Sequence, residues 1–403
     1  MYSFVILFFT LPLYFSHVFS PFGLIIWDVS SFERQKVYIF VVLVLMACFE
    51  WLIRFPVPIW NNLRKYGYVF LILVSVPFFS AIYFGNSLGI DFFIGSHEKN
   101  HWYILYFASI VFFLLLLSSS REHLKKYISW SMVSVVLVAC IAIGEHFGWI
   151  SDIYGRFEMI SLYPGRSSST LGNPNYLAGY LIPFIPILIA NIKKEKHIMQ
   201  IFFNITALAV IVLGIYMSWS YIAWILVWLL IIWYNITLVF RRYILSKQIF
   251  LFVMITIVLI FLWFSIIDPS KLLSFESRFI LMRETIVAMF QYPISLIFWF
   301  GPDSLLSYFS QVRSPLVGQY FPDSMLIDSS HNILIDILFQ YGIIPISLFI
   351  SFLYSKRSYL PAPIGLSLIL LSVFLMFNVF VVSHIIMLCL FMVNLMKNKK
   401  VSV

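Results

Sequence analysis

Long apolar runs separated by short polar segments recur along the whole chain. Most of these runs are about 18 to 24 residues long, which lets an α-helix cross a hydrocarbon core of about 30 Å. The pattern predicts about twelve transmembrane helices, with a range of 10–13, at residues 2–20, 37–53, 66–85, 102–119, 127–145, 175–192, 198–217, 220–240, 248–267, 332–354, 362–380 and 382–396. We therefore predict an all-α polytopic membrane protein in which residues 1–403 form a single integral membrane domain.

The composition supports this prediction. Of the 403 residues, 62% are hydrophobic and only 11% are charged, whereas soluble domains are about 45–50% apolar and about 25% charged. So few polar residues cannot cover the surface of a compact water-soluble body. A soluble globular protein is therefore excluded, but the formal net charge of +9 would by itself also fit nucleic-acid binding.

The distribution of the basic residues decides what that charge means. With the N-terminus in the cytoplasm, 17 of the 26 Lys and Arg residues but only three of the 17 acidic residues fall on the cytoplasmic side. Cytoplasmic loops of membrane proteins are enriched in Lys and Arg in this way. The pattern predicts cytoplasmic N- and C-termini, and it explains the positive charge by topology, with no nucleic-acid partner.

Few reactive side chains lie inside the apolar runs. Cys48, Cys140 and Cys389 each fall in such a run, so we interpret them as small buried hydrophobic residues and predict no disulfide framework. His384 also lies in an apolar run, where a lone buried histidine is most often a helix–helix contact. The chemistry is expected elsewhere, in two long polar segments on the predicted outer side, residues 145–174 and 268–331.

Arginine dominates the basic residues of these two segments, which are Arg156, Arg166, Lys271, Arg278, Arg283 and Arg313. The planar guanidinium group suits two-point contact with phosphate oxygens and is less strongly hydrated than an ammonium group. A lipid-linked phosphate is the natural anion at this depth. The alternative is that these arginines pair with nearby acids such as Glu158, Glu276 and Glu284.

The first long segment ends in Asn173-Pro174-Asn175, directly before the sixth predicted helix. Asn-Pro favours the start of a turn, and Pro174 places Asn175 at the entry of the helix. Helix entries bind anions through their exposed N–H groups. The alternative is an interfacial N-cap that follows a Ser-rich turn.

The second long segment ends in His331-Asn332, before the tenth predicted helix. Asp328, Asn332, Asp336 and Gln340 recur every four residues, so they share one helix face, which is costly in a membrane unless it lines a polar cavity or meets a partner. His331 lies at the mouth of this face, where it can act as a base oriented by Asp328. The alternative is a capping Asn and an interfacial His. Asp328 and His331 would supply at most two metal ligands, which are too few to predict a metal site.

Several motifs in this order resemble the O-antigen ligase and polymerase superfamily over roughly residues 120–350. The motifs are Arg166 with Gly172-Asn173-Pro174-Asn175-Tyr176-Leu177-Ala178-Gly179, Ser277-Arg278 at the start of an amphipathic stretch that runs to Pro293 and Gly301, and His331-Asn332 followed by Gly342. The chain departs from the family pattern at Tyr221, where an Arg is usual, at Met282, where a Trp is common, and at Pro345, where a Gly is usual.

The resemblance implies a membrane glycosyltransferase of the large polytopic class, with a GT-C-like architecture and two long periplasmic loops. Such an enzyme takes a glycan from undecaprenyl diphosphate and transfers it to the hydroxyl of a lipid or glycan acceptor, at the periplasmic face of the bacterial inner membrane, without a metal or cofactor. A ligase is the leading interpretation and a polysaccharide polymerase is the alternative. A secondary transporter is disfavoured because no matched halves with interrupted helices are evident.

The resemblance also implies roles for individual residues. Arg278 and His331 would be catalytic, with His331 activating or orienting the acceptor. Arg166, Arg283, Asn173 and Asn175 would bind the diphosphate of the donor, and Asn332, Asp328, Asp336 and Gly342 would support the site.

Overall fold

The computed structural model describes a large part of the chain: residues 2–13, 29–54, 75, 103–149, 165–239, 269–291, 305, 308–309, 314–321, 327, 329–359, 362–378 and 381–397. The predicted helix at 248–267 lies outside these residues, as does the one at 66–85 except for residue 75. Arg156, Glu158, Arg313 and Asp328 also lie outside them.

Within the described residues, helices are the only regular secondary structure and there is no strand. The α-helices are α1 (Tyr2–Leu13), α2 (Val29–Arg54), α3 (Tyr103–Ser118), α4 (Arg121–His146), α5 (Pro174–Leu181), α6 (Ile185–Lys194), α7 (Ile198–Ser218), α8 (Tyr221–Val239), α9 (Pro269–Gln291), α10 (Pro315–Tyr320), α11 (Ile333–Tyr341), α12 (Ile343–Ser355), α13 (Pro363–Leu375) and α14 (Val382–Lys397). Short 3₁₀ turns occupy Ser169–Leu171, Ile182–Phe184 and Arg357–Tyr359.

Four helical stretches in the described part are long and apolar enough to cross a membrane: Lys36–Ile53, Arg121–His146, Pro174–Lys194 and Ile198–Ser218. Shorter apolar helices cover Ile104–Ser118, Tyr221–Tyr234, Ile343–Ser355, Pro363–Leu375 and Val382–Lys397. These helices confirm the expectation of an all-α protein with membrane-spanning helices. The total of twelve stays a prediction.

Two of the predicted helices are interrupted. The helix predicted at 175–192 is α5 followed by a 3₁₀ turn and α6, with Pro183 and Pro186 at the starts of the last two elements. The helix predicted at 332–354 ends at Gly342, where φ is +72° and ψ is −169°, and α12 begins at the next residue. Glycine permits this left-handed φ because it has no Cβ. Hydrophobic periodicity does not reveal such a break, because both halves are equally apolar.

Three apolar clusters hold the described helices together. The largest joins α4, α5, α6, α7, α8, α13 and α14. A second joins α1, α2, α3, α4 and α14, and in it the rings of Phe4 and Phe8 stack on Tyr127 at centroid distances of 5.1 Å. The smallest joins α9, α10 and α11, so the helix that carries Arg278 packs against the helix that follows His331.

Basic side chains gather at one end of the bundle and contact the carbonyl ends of helices there. Lys397 Nζ donates to the Ser119 carbonyl, Arg121 donates to the Lys397 carbonyl, and Lys356 Nζ donates to the Met396 carbonyl at 3.4 Å. Cations are favoured at these helix ends because the free carbonyls carry partial negative charge. The segment with Arg166 lies between the opposite ends of the helices, so the bundle separates the two groups of basic residues.

Gly179 tests how closely the helices are packed at the end that holds Arg166. A Cβ on Gly179 would lie 2.4 Å from Phe374 Cε1 and 2.7 Å from His384 Nε2. We expect Gly179→Ala to lower the free energy of unfolding by about 1–3 kcal/mol, the usual cost of overpacking, as measured by thermal unfolding in detergent. Gly318→Ala is the control, because a Cβ there meets no atom within 4 Å; equal stability of the two variants would contradict the packing.

Candidate functional site

The segment from Arg166 to Asn173, here called the buried loop, runs between helix ends and has its residues 167–172 buried. Its only helical part is the single 3₁₀ turn Ser169–Leu171, so most of its backbone N–H and C=O groups are not satisfied by a helix ladder. Buried backbone groups need hydrogen-bond partners, and an apolar bundle offers few. The partners of this loop therefore have to come from side chains and helix ends around it.

Glu145, near the end of α4, supplies several of these hydrogen bonds. Its carboxylate accepts from the backbone N–H of Ser168 at 3.0 Å and of Ser169 at 2.6 Å, and from the Ser168 hydroxyl at 3.2 Å. The Ser169 hydroxyl donates to the carbonyl of Val138, which lies earlier in the same helix, at 2.8 Å. Hydrogen bonds to a carboxylate are stronger than those between neutral groups, so α4 holds the centre of the loop firmly.

Three other helices hold the remainder of the loop. The Thr170 hydroxyl donates to the Pro12 carbonyl of α1 at 2.5 Å, and Lys36 of α2 donates to the Thr170 carbonyl at 2.7 Å. The N–H of Ser167 donates to the Met217 carbonyl of α7 at 2.9 Å. The loop is thus fixed by α1, α2, α4 and α7 before α5 begins.

Arg166 leaves the loop half-buried and contacts two neutral oxygens. Its Nε donates to the Ser218 carbonyl at 3.0 Å, and Nη2 donates to Asn175 Oδ1 at 3.2 Å. Asn173 is the N-cap of α5, with its side chain accepting from the Asn175 N–H at 2.8 Å. Asn173 therefore has the capping role that the sequence left open, while the Asn175 side chain faces Arg166.

Arg278 on α9 lies close to Arg166. Burial lowers the pKa of the Arg278 guanidinium, and the positive charge of Arg166 lowers it further. Its Nη1 donates to the Phe377 carbonyl just beyond the end of α13 at 3.1 Å, as the Arg166 Nε does to Ser218, the last residue of α7. Helix C-termini bear partial negative charge, so both guanidinium groups are held by contacts of the same kind, with their positive charges near each other.

Two of the acids named above as possible partners of the arginines, Glu276 and Glu284, lie in the described part of the chain. Glu276 is exposed and hydrogen-bonded to Tyr320, whose pKa it raises. Arg283 is 66% exposed and lies 3.7 Å from Glu284. Five residues along α9 correspond to a rotation of about 140°, so Arg283 lies on a different face from Arg278. Ion pairing thus fits Arg283, and the described contacts do not bring it to the other two arginines.

His331 lies in a tight turn, residues 329–332, here called the histidine turn. The Asp336 carboxylate is only 4% exposed and accepts from the Ser329 hydroxyl at 2.7 Å and the Ser330 N–H at 2.8 Å. The His331 N–H donates to Ser329 Oγ at 2.9 Å, and the φ of His331 is +58°. Asp336 thus fixes this left-handed backbone, and its carboxylate meets partners there, which is one of the two alternatives that its place on the helix face allowed.

Asn332 connects the histidine turn to α9. Its Oδ1 accepts from the N–H groups of Leu334 and Ile335 at 3.0 and 3.2 Å, which makes it the N-cap of α11. Its Nδ2 lies 3.9 Å from Met282 Sδ. Met282 follows Arg278 by about one helical turn, or about 5.4 Å, so the histidine turn and Arg278 share a neighbourhood on α9.

The structure therefore brings together Arg166, Asn175 and Arg278, and it places His331 near the same face of α9. Asn173, Asn332, Asp336 and Gly342 shape the backbone around these groups by capping, turn formation and chain reversal. Among the described residues, no group of three or more His, Cys, Asp or Glu side chains is arranged to hold a metal ion.

Sequence reasoning did not assign a site role to Glu145, Lys36 or the carbonyl of Phe377. A charged residue within a membrane-spanning stretch is costly and is by default a functional candidate. Glu145 and Lys36 each lie at the border of a candidate span, which is a usable signal. The Phe377 carbonyl gives no such signal, since every residue type carries a backbone carbonyl.

Comparison with family models, curated proteins and solved structures finds no match to this chain.

Asp336 offers a direct test of the histidine turn. Asp336→Ala would leave the Ser330 N–H and Ser329 hydroxyl without their acceptor in a buried place, so we expect a loss of about 3 kcal/mol in the free energy of unfolding. Asp336→Asn keeps one carbonyl oxygen and should lose less. The order can be measured by thermal unfolding in detergent, and an Ala variant as stable as the parent protein would contradict this assignment.

Proposed function

We propose that this protein is a membrane glycosyltransferase, resembling an O-antigen ligase, that transfers a glycan from undecaprenyl diphosphate to the hydroxyl of a lipid or glycan acceptor. The observation that carries the proposal is the pair of neighbouring guanidinium groups of Arg166 and Arg278. Both are held by hydrogen bonds in partly buried positions, and a bound anion would stabilise their neighbouring positive charges. The motif resemblance supplies the identity of that anion as a lipid-linked diphosphate.

A diphosphate suits this pair because each guanidinium can donate two parallel hydrogen bonds to phosphate oxygens. The negative charge on the diphosphate grows as it leaves the sugar. Fixed cations in a partly buried site stabilise developing charge more effectively than mobile water does. The arginines would therefore lower the barrier by making the carrier a better leaving group.

The acceptor hydroxyl would be activated by His331. Its oxygen forms a bond to the anomeric carbon of the donor sugar, while the bond from that carbon to the diphosphate oxygen breaks. The hydroxyl proton passes to His331, and undecaprenyl diphosphate leaves with the bonding electron pair. Imidazole serves in such a step because it accepts a proton near neutral pH. Asn175 would orient Arg166 toward the diphosphate.

The topology follows from the charge pattern as part of the same proposal. The end of the bundle that carries Arg121, Lys356 and Lys397 would face the cytoplasm of a bacterial inner membrane, with both termini on that side. The arginine pair would then face the periplasm, where a flipped lipid-linked glycan is available. About twelve spans in one GT-C-like membrane domain complete the proposed architecture.

Binding of the carrier lipid tests the arginine pair. In nanodiscs that contain the full chain, Arg278→Met should weaken binding of undecaprenyl diphosphate at least about tenfold, because it removes charge-assisted hydrogen bonds. Undecaprenyl monophosphate should bind less tightly and respond less to the substitution. Arg357→Met, an exposed arginine that stacks on Tyr354, is the control and should bind normally. Equal binding by both variants would contradict the proposed site.

Cell-envelope glycans test the reaction. In a strain lacking the gene, the parent chain should restore long glycans on the acceptor, whereas His331→Ala and Arg278→Ala should not, although both proteins insert in the membrane at normal levels. Accumulation of long carrier-linked glycan in the mutants would identify a ligase, and single repeat units on the acceptor would identify a polymerase. Normal glycan ladders in both mutants would contradict the assignment of this protein as a glycosyltransferase.

A further inference from the structure

Two basic side chains that the proposed reaction does not use lie inside the bundle beside the buried loop. Lys36 on α2 and His384 on α14 are both 0% exposed. Burying an ammonium group or an imidazole is costly unless its donors find acceptors. Their contacts should therefore indicate why an otherwise apolar bundle retains them.

Both side chains contact backbone carbonyls of the segment that leads into α5. Lys36 Nζ donates to the Thr170 carbonyl at 2.7 Å, and His384 Nε2 lies 3.3 Å from the Tyr176 carbonyl. A carbonyl oxygen can only accept, so His384 Nε2 carries the proton and donates. Two helices distant in sequence thus hold one segment at two points, six residues apart.

The segment between these two points contains the turn that presents Asn175. Gly172 has a φ of +71°, Asn173 caps α5, and Asn175 contacts Arg166. The His384 ring reaches Tyr176 because Gly179 has no side chain at the place where a Cβ would lie 2.7 Å from Nε2. The position of Asn175 is therefore fixed from both sides by groups outside its own helix.

A reason for this double attachment lies in the repulsion between the two arginines. Arg166 and Arg278 carry like charges that repel each other, so a loosely held loop would favour positions of Arg166 farther from Arg278. A site that stabilises charge has to be held in place before the ligand arrives. Fixed carbonyl contacts on both sides of the turn would supply that restraint.

We propose that Lys36 and His384 are positioning residues, which hold the Thr170 and Tyr176 carbonyls so that Asn175 and Arg166 stay beside Arg278. The inference rests on the proposed function for its ligand, but the restraint on the loop can be measured without any ligand. Neither side chain touches the reacting atoms, so both act through the backbone.

The test compares variants that remove or retain the donor group. Lys36→Met and His384→Phe keep much of the side-chain volume without the N–H donor, whereas Lys36→Arg and His384→Gln retain an N–H. Lys356→Met is the matched control, because Lys356 Nζ also donates to a helix carbonyl, that of Met396, at the opposite end of the bundle. All are full-length chains in nanodiscs.

Two quantities are measured: hydrogen exchange of the amides from residue 166 to residue 176, and the affinity for undecaprenyl diphosphate. Lys36→Met and His384→Phe should raise amide exchange at least about tenfold in this segment alone and weaken binding by a similar factor. The two donor-retaining variants should recover most of both. The Lys356→Met control should change neither.

The outcomes separate this inference from the proposed function. Unchanged exchange in Lys36→Met and His384→Phe would overturn the inference, and so would faster exchange with undiminished binding, because the contacts would then be structural only. If the donor-retaining variants lose binding and restraint as completely as the others, the donor groups are not what matters, and the inference also fails. If the parent chain shows no binding of undecaprenyl diphosphate although exchange responds as expected, the restraint stands and the proposed function falls.

Discussion

A stretch of backbone that is not α-helical, buried inside a helix bundle, imposes the main constraint on this protein. Residues 167–172 are buried, and in an apolar environment each unsatisfied N–H or C=O costs several kcal/mol, of the order of a lost hydrogen bond or more. The loop meets this demand with partners from four helices, including the carboxylate of Glu145 and the ammonium group of Lys36. Charged residues that would be a liability in an apolar run thereby become the means of fixing the loop, and the geometry of everything attached to it follows.

That constraint explains how two arginines can stay close together in a partly buried place. Arg166 and Arg278 each donate to the carbonyl at or just beyond the C-terminal end of a helix, Ser218 for α7 and Phe377 for α13. The partial negative charge of a helix end lowers the cost of burying a cation without neutralising it. Glu284, by contrast, lies 3.7 Å from the exposed Arg283, at ion-pair distance. The carbonyl contacts position the two guanidinium groups of Arg166 and Arg278 without themselves adding a full negative charge.

The parts of this architecture that were predictable from sequence are the local ones. The apolar runs at 198–217 and 220–240 correspond to α7 and α8 within about one residue at each end, because hydrophobic length determines a membrane helix. The capping interpretation of Asn173 and Asn332 follows from the few residues around each. Lys36 and Thr170, by contrast, are 134 residues apart, and no local pattern links them. The four-residue spacing of Asp336 did not decide between a cavity-lining stripe and a partner, and its carboxylate contacts the histidine turn just before its own helix.

Met282 shows how an apolar side chain can join a helix to a polar turn. Its thioether has no N–H or O–H to donate. Its sulfur nevertheless lies 3.9 Å from the Asn332 amide nitrogen and its side chain is buried. A thioether is a weak acceptor and an adaptable packing group, so Met282 still joins α9 to the histidine turn. This contact between two elements helps to keep His331 beside the helix that carries Arg278.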